Sequence, residues 1–139
     1  MARWCVDANV VIATLLEENR TSQARSFWIS LAADDEVIVP CVLFPECTSV
    51  IRRTVVSGAL TEAEGYEKLG ELLALPLRIS TQPAQFSLAF DWATRGKRAK
   101  TNDLQYVAVA QLEGAEIVSL DGGMQQAARE QNVPVRFLQ

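Results

Sequence analysis

No histidine occurs in the 139 residues. This absence excludes Ser-His-Asp and Cys-His nucleophile systems, most zinc sites and imidazole acid-base work together. Long apolar runs are also missing: the stretches Val10 to Leu16 and Val37 to Phe44 fall well short of the roughly 20 residues a membrane span needs. A secretory signal requires a basic start and then an apolar run, and Asp7 interrupts that pattern almost at once; a cytoplasmic location is the expectation. Cysteine is scarce and odd in number, with Cys5, Cys41 and Cys47 all in apolar surroundings, so buried thiols are expected rather than a disulfide framework. Basic residues are outnumbered, 13 against 17 acidic ones for a net charge of −4, which argues against nucleic-acid binding by bulk charge. These gaps leave carboxylate chemistry, in which an acidic site loaded with metal can still attract phosphate locally.

With 49% apolar and 22% charged residues, the chain is long enough for one hydrophobic core and too short for two typical domains. One domain spanning residues 1–139 is expected. Arg3-Trp4-Cys5-Val6 reads as a buried strand, and Asp7-Ala8-Asn9 turns it into a helix through Leu16. Thr21 or Ser22 can cap a second helix; Val37-Ile38-Val39 gives strand two, and a third helix then runs to Ser57. Thr61 and Glu64 form a capping-box pair before a helix carrying Tyr66, Leu69 and Leu73. Leu77 to Ser80 is strand three, followed by a helix with Phe86, Phe90 and Ala93 on one face, which suits core or dimer packing. Thr101 or Asn102 caps the helix that holds Asp103, and Gly114 closes it. Glu116 to Leu120 is strand four, Asp121-Gly122-Gly123 starts another helix, and Val133, Val135 and Phe137 alternate as a last strand, with Pro134 marking a sheet edge. Continuous apolar strands separated by helices indicate a mainly parallel sheet covered on both faces, which binds ligands beyond its strands' carboxyl ends.

Four carboxylates stand out, each with a bland alternative. Asp7 and Asp121 both follow a strand, where Asp also serves as a helix cap or turn residue. Glu46 has Leu43 three residues before it and Val50 four after, which puts it on an apolar helix face. A carboxylate there needs a cation, a proton or hydrogen bonds, because burying it unpaired costs several kcal/mol; metal is one answer and Arg52 or Arg53 another. Asp103 sits in a helix's first turn, where the macrodipole favours negative charge, yet it shares a face with Tyr106, Val107 and Ala110 and is expected to point inward. Asp34, Asp35 and Glu36 read as a solvated acidic turn, and Glu113 as surface. Lys97, Arg98 and Lys100 make a small basic loop able to contact phosphates, although such loops are more often simply solvated.

The segments Val6-Asp7-Ala8-Asn9-Val10-Val11, Pro45-Glu46, Asn102 to Ala110 and Val118-Ser119-Leu120-Asp121 together resemble the PIN domain, and within it the VapC-type toxins of prokaryotic toxin-antitoxin pairs. The resemblance covers nearly the whole chain. It implies a five-stranded parallel sheet of order 3-2-1-4-5, and a ribonuclease site in which Asp7, Glu46 and Asp103 are the core metal-binding acids with Asp121 as a more variable fourth. Asn9 and Ser119 would be hydrogen-bonding supports, with Asn9 standing where the family often has Ser or Thr. It further implies one or two Mg²⁺ or Mn²⁺ ions, an RNA substrate, a homodimer, and a cognate antitoxin whose C-terminal segment fills a groove beside the site. Oxygen-only ligands in an open cleft suit such hard ions, which keep several waters. A receiver-like domain fits less well, since Asp7 lacks an acidic neighbour and Ile79-Ser80-Thr81-Gln82 offers no phosphoacceptor. A PIN-like module without catalysis remains the other alternative.

Overall fold

Short apolar runs rich in β-branched residues form the strands: β1 (Arg3–Val6), β2 (Glu36–Pro40), β3 (Leu77–Ser80), β4 (Glu116–Ser119) and β5 (Val135–Phe137). The computed structural model describes residues 1–98 and 100–139; Ala99, in the basic loop, lies outside them. All neighbouring strands pair in parallel, in the order β3-β2-β1-β4-β5, as expected. Successive residues of a strand face opposite sides of a sheet, and Cys5 with Val6, Val37 with Ile38, and Ile117 with Val118 are all buried. Both faces are therefore covered. The covering helices are α1 (Ala8–Leu15), α2 (Thr21–Ser30), α3 (Leu43–Val56), α4 (Glu62–Ala74), α5 (Ala84–Arg95), α6 (Asn102–Glu113) and α7 (Gly122–Glu130).

The winding positions the site. From β1 the chain proceeds outward to β2 and β3, and α5 and α6 then carry it back to β4 on the other side of β1. Cys5 pairs with Ile117 and Val6 with Val118, and the Asp7 amide extends this pairing by donating to the Val118 carbonyl at 2.9 Å. Loops leaving two adjacent strands in opposite directions open a crevice at their carboxyl ends. Helix α6 is buried along its whole length from Leu104 to Ala110 and packs on β1, β2 and β4. Gly114, at φ +64°, ends it in the left-handed conformation, where a side chain would be strained.

Several local expectations hold. Thr61 and Glu64 form both bonds of the capping box, Glu64 N to Thr61 Oγ1 at 3.1 Å and Thr61 N to Glu64 Oε1 at 2.9 Å. Strand β5 lies at the sheet edge. Others are revised. Thr21 is no cap: its hydroxyl accepts from Glu18 N and donates to Leu16 O, each at 3.0 Å, closing the link between α1 and α2. The acidic turn is structural, because Asp35 accepts from the amides of Ala2 and Ala32, both at 3.0 Å. Glu113 is held by Arg78 at 3.2 Å and Gln82 at 3.0 Å. Cys41 is exposed, unlike Cys5 and Cys47. Tyr66, Leu73, Phe86 and Phe90 are exposed as well, so the faces they mark on α4 and α5 are left open to solvent.

Candidate active site

Asp7 follows β1 and stands at the N-cap position of α1, but its side chain makes no cap hydrogen bond. That observation removes the bland reading of Asp7. Its Oδ2 instead accepts from Ser119 Oγ at 2.9 Å and from Asn9 Nδ2 at 3.1 Å. Ser119 is fully buried at the end of β4, and its oxygen also accepts from the Asp121 amide at 2.9 Å. Asn9 reaches across to β4 with its other end, Oδ1 accepting from Leu120 N at 3.1 Å. The two residues thus tie the ends of β1 and β4 together and fix one oxygen of Asp7.

Glu46 lies in the first turn of α3 and is half-buried. Neither arginine considered from the sequence pairs with it: Arg52 lies 3.9 Å from Glu62. Its partner is the phenol of Tyr106, which donates to Glu46 Oε1 at 2.7 Å. Sequence reasoning placed Tyr106 on the core face of its helix and missed this bond, since nothing local connects residues 60 positions apart. The ring is fully buried, and a buried tyrosine normally finds a partner for its hydroxyl, which is the one signal available beforehand. Tyr106→Phe deletes only that donor and is expected to lower stability by about 1–2 kcal/mol, measured by urea unfolding near neutral pH; an unchanged midpoint would show that the bond contributes nothing.

Asp103 is exposed in the first turn of α6. The expectation that it points into the packed side fails, because the buried run begins one residue later, at Leu104. Asp121 is exposed too, and its side chain does cap α7, accepting from Gly123 N at 3.2 Å. All four acids, with Asn9, line one cleft of about 540 Å³. Lys97, Arg98 and Lys100 do not line it, and Arg98 is paired with Glu130 at 3.0 Å. The basic side chain that does line the cleft is Arg53 on α3.

The electrostatics follow from burial and crowding. Burial pushes the Asp7 carboxyl up from 3.8 to about 7; the charges of Asp103 and Glu46 add to the rise, while the Ser119 hydroxyl and the Ala8 amide oppose it. Glu46 is raised by burial and then by Asp103, against the pull of Tyr106. Such a site carries negative charge that the protein does not itself neutralise. The donors are hard carboxylate and amide oxygens with no sulfur facing the cleft, the set that Mg²⁺ or Mn²⁺ accepts. Among the described residues, no three acidic or cysteine side chains are grouped so that they could hold an ion as they stand. The chemistry of the donors fits such an ion, while their spacing would leave most of its coordination to water.

The PIN domain family model matches residues 4–130 of the chain. Several solved structures share its fold. The VapC20 toxin of Mycobacterium tuberculosis, described as cleaving the sarcin-ricin loop, is 17% identical with a TM-score of 0.71, over 89% of this chain and 94% of that one. The VapBC2 complex of Rickettsia felis, bound to a DNA fragment from its promoter, is 15% identical with a TM-score of 0.69, over 99% of both chains. A toxin-antitoxin complex from Klebsiella pneumoniae is 14% identical with a TM-score of 0.58, over 87% of both. At these identities the likeness is one of fold. Among proteins with curated descriptions, none matches the chain in sequence.

Proposed function

The chain belongs to the PIN domain family, and from that premise we propose that it is a divalent-metal-dependent ribonuclease, the toxin of a toxin-antitoxin pair. The observation that carries this is the convergence of Asp7, Glu46, Asp103 and Asp121 on one cleft at the switch point of the sheet. Asp7, Glu46 and Asp103 would hold Mg²⁺ or Mn²⁺, one ion or two, with Asp121 as a fourth oxygen ligand. A bound ion supplies charge neutralisation at the phosphoryl oxygens and lowers the pKa of a coordinated water.

The chain's own residues supply the rest. Ser119 and Asn9 hold one oxygen of Asp7 in place at the cleft. Tyr106 does the same for Glu46. Preorganised ligands need no rearrangement when substrate arrives, which is where much of an electrostatic rate gain originates. In the hydrolysis, water adds to phosphorus and one P–O ester bond breaks, leaving a phosphate monoester on one fragment and a hydroxyl on the other.

The same reading includes a cognate antitoxin and a homodimer. The groove between α3 and α4, lined by Thr48, Ile51, Val55, Tyr66 and Leu69, shares α3 with the acidic cleft and suits an antitoxin segment. The exposed Phe86 and Phe90 of α5 offer apolar surface to a second copy. No helix among the described residues is long and apolar enough to cross a membrane.

Cleavage of single-stranded and structured RNA with Mg²⁺ or Mn²⁺, comparing wild type with Asp103→Asn and Glu46→Gln, tests the reading. Wild type is expected to cleave, and each variant to lose about 10²–10³-fold in rate, the usual scale for losing one preorganised electrostatic partner. Equal activity in all three would remove the site assignment; no cleavage by wild type would favour the non-catalytic module.

A further inference from the structure

Glu46, Val50 and Arg53 follow one another on α3 at spacings of four and three residues, which places them on one face of the helix, and all three line the acidic cleft. Arg53 is exposed and makes no ion pair among the described residues. It lies seven residues beyond Glu46, about 10 Å along the helix axis, and helical side chains lean towards the N-terminus, here towards Glu46. We propose that Arg53 binds a phosphate flanking the one cleaved, so that the RNA backbone runs along α3 from Glu46 past Ser49 to Arg53.

The proposal rests on the ribonuclease reading and deepens it. A guanidinium suits the task, because its planar fork meets phosphate oxygens two at a time and stays charged at any working pH. Four carboxylates repel a polyanion, and once an ion has offset part of that charge, a cation at the cleft's rim still has to hold the strand in register. The basic loop is poorly placed for this: Lys97, Arg98 and Lys100 lie outside the cleft lining, and Arg98 is engaged by Glu130. Arg53 is thus a positioning residue for substrate and takes no part in holding the ion.

The test compares wild type, Arg53→Gln and Arg53→Lys on a labelled single-stranded RNA with Mg²⁺. Arg53→Gln is expected to raise KM about tenfold with kcat changed less than about twofold, and Arg53→Lys to recover much of the loss. The slope of log KM against log salt should fall by about 0.7 in Arg53→Gln, as for one lost phosphate contact on a single strand. The rise in melting temperature on adding Mn²⁺ should equal that of wild type. An unchanged KM overturns the proposal, and so does loss of the Mn²⁺-induced rise, which would make Arg53 part of the ion site's framework. If wild type cleaves no RNA, the ribonuclease reading fails separately. Fluorescence anisotropy with the same RNA and Ca²⁺ then decides Arg53 alone: about tenfold weaker binding in Arg53→Gln supports it, and equal binding overturns it.

Discussion

Replacing Asp7 with asparagine is expected to cut RNA cleavage by about 10²–10³-fold while raising the melting temperature of the metal-free protein at pH 8. The two effects share one cause. Asp7 is 7% exposed and faces Asp103 and Glu46 across the cleft, so at pH 8 it holds a buried charge beside two others. Lifting its pKa from 3.8 to about 7 corresponds to at most about 4 kcal/mol of destabilisation once the group is ionised. Asparagine keeps the shape and an oxygen for Ser119 Oγ and Asn9 Nδ2, while removing the charge. A gain of about 1–3 kcal/mol is the realistic share, or several degrees in a chain of this size. Scanning calorimetry in EDTA at pH 8 checks the stability half, and the RNA assay the activity half. A variant that is inactive and also less stable would show Asp7 to be a framework residue and not a site whose charge is tolerated for function.

The parts of this fold that sequence dictates are those governed by near neighbours. Thr61 and Glu64 sit three residues apart, and Gly114 follows a helical run, so local chemistry alone specified the capping box and the end of α6. Strand order is a non-local property; it followed from the resemblance of the Asp7, Glu46, Asp103 and Asp121 segments to a family. The site divided along the same line. Glu46 was visible from its own helix face, because Leu43 and Val50 bracket it. Its partner Tyr106 was not, because α3 and α6 meet only once the sheet is wound. Asp103 lies on the expected side, in the cleft with Asp7 and Glu46, but is exposed and not packed inward: a first-turn residue can share a helix face with buried ones and still protrude where the helix emerges from the core. Arg53 was seven residues from Glu46, a helical spacing readable in advance, but arginine near a carboxylate suggests an ion pair, and only the structure shows the guanidinium unpaired beside the cleft.

The metal-free protein should lose stability as pH rises from about 5 to about 8, and Mg²⁺ should restore it increasingly over the same range. The folded-state pKa of Asp7, about 7, lies above its ordinary 3.8. Between those values the folded protein holds a proton that the unfolded chain has released, so stability declines with rising pH and the decline is complete just above 7. Glu46, raised in the same direction, adds to it. Asp35, Glu64 and Glu113 are held below their ordinary values by hydrogen bonds and, for Glu113, by Arg78. Their contribution is present above the ordinary carboxylate range and is lost only as pH falls below it, while the buried thiols Cys5 and Cys47, raised from 9.0, begin to cost stability only above about pH 8, so measurements between about pH 5 and 8 isolate the cleft. An ion binds the ionised carboxylates and competes with their protons; at a concentration 100 times its Kd it stabilises the folded state by about 2.7 kcal/mol, and by less at pH 5, where protons occupy the site. Melting temperatures in EDTA and in Mg²⁺ should therefore diverge from pH 5 to pH 8, and in Asp7→Asn both the slope in EDTA and the divergence should shrink. A wild-type profile in EDTA that is flat across this window would mean that the cleft carboxylates ionise without penalty, and the crowding on which the ion site depends would be absent.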